Sequence, residues 1–109
     1  MSYRLVIVEP AEIDVDEIYG YILARSQQGA YSWYREFQTC LERVSLQPLA
    51  CSLAPENGEF EIEVRQALFR TKHGAPYRCV FTVLGTEVRI LRVRGPGRAP
   101  LKRSDIAAQ

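Results

Sequence analysis

The chain has 109 residues, 47% hydrophobic and 25% charged, with a formal net charge of +1. That length suits one domain with a core of its own and leaves no room for two ordinary ones; the composition excludes a disordered, collagen-like or fibrous chain, and no run of ~20 apolar residues is present to cross a bilayer. The small net charge hides a polarity: residues 1–63 carry four basic and eleven acidic side chains, whereas residues 64–109 carry ten basic, eight of them arginine, and two acidic.

The elements follow in order. Tyr3 to Val8 is rich in branched apolar residues and reads as a short, mostly buried strand. Pro10 suits the opening of a helix, where its missing N–H is no loss, and Glu12, Asp14, Asp16 and Glu17 place negative charge at the positive end of the helix dipole. Ala11, Val15, Ile18 and Ile22 step along one helical face. After a break at Ser26–Gly29, Ala30, Trp33, Phe37, Leu41 and Val44 mark a second helix ending at Gln47-Pro48. So short a break predicts an antiparallel helix hairpin over about 10–47. Trp33 and Phe37 belong to a core.

Residues 48–59, with two prolines and Asn57-Gly58, form a long loop. From Phe60 to Leu68, apolar residues then alternate with Glu61, Glu63 and Arg65, a half-buried strand. Lys72 to Pro76 turns, Tyr77–Leu84 is a second strand of a meander, Gly85-Thr86 a tight hairpin, and Glu87–Arg94 the last strand. Residues 95–109 form a basic tail punctuated by Gly95, Pro96, Gly97 and Pro100; Ala107 to Gln109 is expected to fray. The whole, 1–109, is a single α+β domain of order β-α-α-β-β-β. Pairing the first strand with the last gives an antiparallel sheet of order 1-4-3-2, with the helix hairpin packed on one face.

Alternation across strands makes a specific spatial expectation. If Phe60, Ile62, Val64, Tyr77, Cys79, Phe81, Leu91 and Val93 face the helices, then Arg65, Arg78, Arg92 and Arg94 share the uncovered face with Ile90, and Arg98 and Lys102 fold over its end. Gathered guanidiniums suit phosphates or carboxylates, each offering a planar fork of donors. The alternatives are that Glu61 and Glu63 pair with these arginines across strands, or that the acidic and basic halves neutralise each other.

Familiar catalytic patterns are missing: no phosphate-binding loop, H-E-x-x-H, EF-hand or G-x-S-x-G motif is present. Cys40, Cys51 and Cys79 are widely spaced and His73 is the sole histidine, so no metal or cofactor is expected, and with no secretory signal visible the thiols read as free in a reducing cytoplasm. Hydrolysis would be limited to metal-independent RNA cleavage, with Arg65, Arg78 and Arg92 on the phosphate and Tyr77, His73 or Lys72 as acid and base.

The acidic helix Glu12–Ile22, the pair Trp33-Tyr34, Val64-Arg65-Gln66, Tyr77-Arg78-Cys79-Val80-Phe81 and Ile90-Leu91-Arg92-Val93-Arg94 occur in an order and spacing that resembles the RelE/ParE toxin superfamily, in particular its ParE-like (plasmid-stabilisation) branch, over roughly residues 3–101. The resemblance implies a β-α-α-β-β-β fold and the toxin of a bacterial type II toxin–antitoxin system, a growth inhibitor neutralised by a cognate antitoxin. ParE-like members inhibit DNA gyrase; RelE-like members cut messenger RNA on the ribosome. Arg78 matches the arginine that the nuclease branch places at the scissile phosphate, but Glu59, Glu61 and Glu63 stand where its lysines are expected, and no Tyr or His follows Arg94. Gly95 also departs from the ParE-like branch, where histidine is common there. The resemblance therefore favours a gyrase-binding inhibitor over a ribosome-dependent endoribonuclease or a degenerate toxin that binds only antitoxin. Arg65, Arg78, Arg92, Arg94 and Arg98 are the expected contacts to target or antitoxin. A homodimer or a heterotetramer with antitoxin is compatible with the sequence.

Overall fold

The computed structural model describes residues 2–106. Strand β1 (Arg4–Ile7) leads directly into helix α1 (Glu9–Leu23), with Pro10 in its first turn beside Glu9 and Glu12. Helix α2 (Gln27–Leu46) begins after only three residues. Ser26 caps it by accepting a hydrogen bond from the Gly29 N–H at 2.9 Å, so Gly29 lies inside the helix rather than in the expected break. The buried stripe of α2 is Ala30, Trp33, Phe37, Cys40 and Val44, spaced by three or four residues, while Ala11, Val15, Ile18 and Ile22 of α1 pack against the same core.

The meander consists of β2 (Arg65–Phe69), β3 (Tyr77–Leu84) and β4 (Glu87–Arg94). Gly85, at φ +62°, makes the β3–β4 turn that a side chain would strain. The sheet order is β1-β4-β3-β2, as expected. The direction of β1 is a correction: it runs parallel to β4, with Arg4 opposite Glu87 and Ile7 opposite Ile90. The sheet is therefore mixed rather than all-antiparallel. Two hairpin turns give β4 the direction of β2, so β2 must also run in the sense of β1. The helix hairpin provides this, because α2 ends where β1 begins, the Tyr3 N–H donating to the Ser45 carbonyl at 2.8 Å, and residues 47–64 lead from there into β2.

That connection also corrects the second strand. Residues 60–64 are not strand. The Ala54 N–H donates to the Val64 carbonyl at 2.8 Å, the Val64 N–H donates to Asn57 Oδ1 at 2.8 Å, and Thr82 Oγ1 donates to the Glu63 carbonyl at 2.7 Å. Phe60, Ile62 and Val64 thereby pack with Ala54, Val80 and Leu101 in a small second core instead of facing the helices. Alternation arose there because a loop lying on a sheet also has an inner and an outer side.

A bulge sets the phase of β4. Phe81 pairs with Ile90 but Val80 pairs with Arg92, leaving Leu91 as the extra residue. Ile90 and Val93 consequently both join the helix-side core; the expectation that Leu91 faced the helices and Ile90 turned away is overturned by this one residue. The edge of β2 is guarded, because Arg43 Nη2 donates to the outward Leu68 carbonyl at 2.8 Å. Among the described residues, no helix is long and apolar enough to cross a membrane.

Candidate functional site

The sheet face opposite the helices is covered in part by the loop of residues 52–64 and by the tail of residues 96–106. Arg78 and Arg94 emerge there side by side, in register across β3 and β4. Between β2, the loop and the tail lies a groove of about 480 Å³ lined by Pro55, Glu56, Gln66, Leu68, Arg78 and Arg98, among others.

Arg78 is fixed on this face by a carboxylate rather than left for a ligand. Its Nη1 donates to Glu56 Oε1 at 2.8 Å and its Nη2 to Oε2 at 2.6 Å, a two-pronged pair. Gln66 Oε1 accepts a further bond from Nη1 at 2.9 Å. Glu56 is only 5% exposed and also accepts from the Leu101 N–H at 2.9 Å. The hydrogen bonds from Arg78 are the main reason that its carboxyl is held down to about 2; it stays ionised across the physiological range.

Arg92 stands where β1 has ended and the edge of β4 is open. Its Nε and Nη2 grip Asp14 of α1 at 2.8 and 2.9 Å, and the same carboxylate accepts the Val93 N–H at 2.9 Å. The hydrogen bonds to Asp14 raise the guanidinium's affinity for its proton further. Its remaining nitrogen, Nη1, donates to the Asp105 carbonyl at 2.8 Å. Arg94 is 7% exposed and has a poorer partner: Nη2 reaches Asp105 Oδ2 at 3.4 Å, while its buried Nε finds no acceptor among the described residues. Burial lowers the pKa of this guanidinium, although it remains far above neutrality.

The other expected site residues disperse. Arg65 is a correction. It stands opposite Phe81, so it takes the phase of Ala67 and Phe69 on the helix side, where it donates to the Cys51 carbonyl at 2.6 Å and pairs with Glu63 at 2.9 Å. The shifted start of β2 caused this. Tyr77 is also on the helix side, its ring 5.5 Å from Trp33 and 5.8 Å from Phe69, and burial pushes its hydroxyl pKa up. His73 is exposed in the β2–β3 connection. The six residues considered for RNA cleavage, Lys72 in the same exposed turn included, are therefore not brought to one place. Arg98 is exposed at the rim of the groove.

Three carboxylates that organise this face were not anticipated. Asp14 had a signal: it is an acid one turn beyond Ala11, on the apolar side of α1, and a buried acid needs a partner. Glu56 and Asp105 had none, since each meets its arginine only through the path of a loop or tail. Cys40, Cys51 and Cys79 are free thiols.

Comparison with known proteins agrees with the architecture. Residues 5–100 match the family described as the ParE toxin of type II toxin–antitoxin systems, parDE. A solved structure described as the chromosomal ParDE TA system from P. aeruginosa superposes with a TM-score of 0.64 over 85% of this chain and 95% of that one, at 20% identity, a likeness of fold. No curated protein matches.

Proposed function

The chain belongs to the ParE toxin family of type II toxin–antitoxin systems, and from that premise we propose that it is a cytoplasmic growth inhibitor that acts by binding DNA gyrase, is neutralised by a cognate antitoxin, and does not cut RNA. The pairing of Arg78 with Glu56 carries this reading. A guanidinium that stabilises a scissile phosphate must present its fork to the substrate, whereas both forward edges of Arg78 are taken by a carboxylate that remains charged. Among the described residues, none of the expected acid and base candidates stands with it, because Tyr77 points to the opposite side of the sheet and Lys72 and His73 lie in an exposed turn. What remains suits recognition: a groove with an apolar lining and Arg98 at its rim.

Purified protein is expected to abolish gyrase supercoiling and to leave messenger RNA intact on translating ribosomes. Unimpaired supercoiling at excess protein, combined with cuts inside codons that Arg78→Ala removes, would establish the nuclease instead. Arg98→Glu is expected to weaken the inhibited complex about tenfold, the scale of one lost interfacial charge contact, with the fold unchanged by circular dichroism.

A further inference from the structure

The helix-side core gathers three thiols that the proposed function does not use. Cys40 belongs to the buried stripe of α2, Cys79 meets it from β3, and Cys51 follows the 3₁₀ turn Pro48–Ala50 at the margin of the same core. The Cys40 and Cys79 thiols are in direct hydrogen-bond contact. Cys79 is wholly enclosed, and Cys40 is 1% exposed. Cys40 nevertheless lines a groove of about 390 Å³ between α2 and the edge strand β2, together with Thr39, Arg43, Phe69, Arg70 and others. Arg43 is pinned beside the sulfur: its Nη2 donates to Cys40 Sγ at 3.7 Å and to the Leu68 carbonyl at 2.8 Å.

The three thiols stand in three different settings. The hydrogen bond from Cys79 is the main reason that the Cys40 pKa is lowered; burial opposes it, and the charge and hydrogen bond of Arg43 add to it. That same hydrogen bond, and then burial, push Cys79 well above the usual thiol range. Burial raises Cys51, with Arg43 and Arg65 offsetting only part of the rise. The anion is thus favoured at Cys40 and the proton at Cys79. A stabilised thiolate beside a second thiol, with a cation at hand, is the arrangement of a redox-sensing pair.

We propose that Cys40 is a peroxide-reactive thiol with Cys79 as its resolving partner, so that a hydroperoxide entering the groove between α2 and β2 closes a Cys40–Cys79 disulfide across the helix–sheet interface. The electrons balance in two steps. The Cys40 sulfur attacks one peroxide oxygen, an S–O bond forms as the O–O bond breaks, and the departing hydroxide takes the Cys79 proton and leaves as water. The Cys79 sulfur then attacks Cys40 Sγ, and the S–O bond breaks to release a second hydroxide, which solvent protonates. Two thiols are oxidised to one disulfide and the peroxide is reduced to two waters. The narrow access to Cys40 admits an oxidant of about water size and excludes bulky ones. Cys51 has no such setting and stays a thiol.

The test treats the reduced full-length chain with hydrogen peroxide, alkylates the remaining thiols with iodoacetamide in denaturant, and maps the peptides by mass spectrometry. The expected product is a chain lighter by two hydrogens, with Cys40 linked to Cys79 and Cys51 alkylated; dithiothreitol should return the starting mass. Cys79→Ala should stop the reaction at a Cys40 sulfenic acid that dimedone traps. Arg43→Gln should slow the loss of the Cys40 thiol about fivefold, with circular dichroism unchanged. A Cys40–Cys51 link, dimers joined through Cys51 with Cys40 still alkylated, or three intact thiols after an exposure that oxidises free glutathione would each overturn the proposal. An unaltered rate in Arg43→Gln would overturn the part given to the cation. Mapping of the natural chain depends on no variant folding, and none of these readouts involves gyrase or RNA, so the outcome is separate from that of the target.

Discussion

On the helix side of the sheet, Trp33 lies 5.7 Å from both Phe37 and Phe69, and Phe69 is 5.8 Å from Tyr77; among the described residues twelve buried side chains form this core. On the other side four buried side chains do so, and Glu56, Asp14 and Asp105 meeting arginines add charge pairs to the hydrogen bonds of the loop. Aromatic packing is indifferent to proton concentration and changes only with the fold itself. Charge pairs titrate, and two of their carboxylates, Glu56 and Asp105, arrive on a loop and a tail, while Asp14 comes from α1. The contrast separates a face that specifies the fold from a face that can be remodelled without unfolding it.

Trp33→Ala should show the helix side at its most demanding, with a loss of about 4 kcal/mol by denaturant unfolding, because the indole touches Phe37, Phe69 and Tyr77 together. Glu56→Gln should cost about 3 kcal/mol, since it leaves the Arg78 guanidinium unpaired in a mostly enclosed position. Acid gives the same group a second test. The Glu56 pKa falls from 4.5 to about 2 on folding, so its stabilisation is complete above pH 5 and disappears as pH drops through about 2. Thermal unfolding of the natural chain should therefore steepen its dependence on pH between 4.5 and 2, and Glu56→Gln should flatten that slope. If the slope survives the substitution, the second face is not held by this carboxylate.

Leu101→Ala is expected to cost about 2 kcal/mol, less than the indole loss, because the satellite core can relax around the tail. Smallest is Gly97→Ala. Gly97 has φ +75°, where an L side chain costs about 1 kcal/mol. That strain falls within the tail, so amide exchange of residues 98–106 should rise roughly fivefold, with the unfolding midpoint falling less than for Leu101→Ala. A larger fall than that would erase the distinction between the two faces.

The helix-side half was legible in the sequence because periodicity reports burial against a neighbour. Ala11, Val15, Ile18 and Ile22 at helical spacing, and Tyr77, Cys79 and Phe81 at strand spacing, all point where they were expected to point. The strand order followed from the element order. Three local facts defeated the same logic on the other half. The direction of β1 depends on where the helix hairpin returns the chain, at Ser45 beside Tyr3, which no periodicity encodes. The bulge at Leu91 inverts the phase of β4 with a single residue. The extended loop at 60–64 imitates a strand, and in doing so it moved Arg65 to the wrong side. Ion pairs such as Arg78 with Glu56 were illegible for a related reason: the partners are 22 positions apart and Glu56 sits on an irregular loop. Family resemblance, carried by motifs spread over the chain, was less sensitive to such slips and led to the toxin assignment.

The parallel pairing of β1 with β4 has one more consequence, for the order in which the molecule comes into being. Arg4 and Glu87 are 83 positions apart, and β4 lies between β1 and β3. During synthesis, both helices and an isolated first strand exist well before the strand that completes their support. The slow, long-range closure falls at the end of the process. Until β4 has been added, β1 has no neighbour in the sheet, and only β2 and β3 underlie the hydrophobic hairpin.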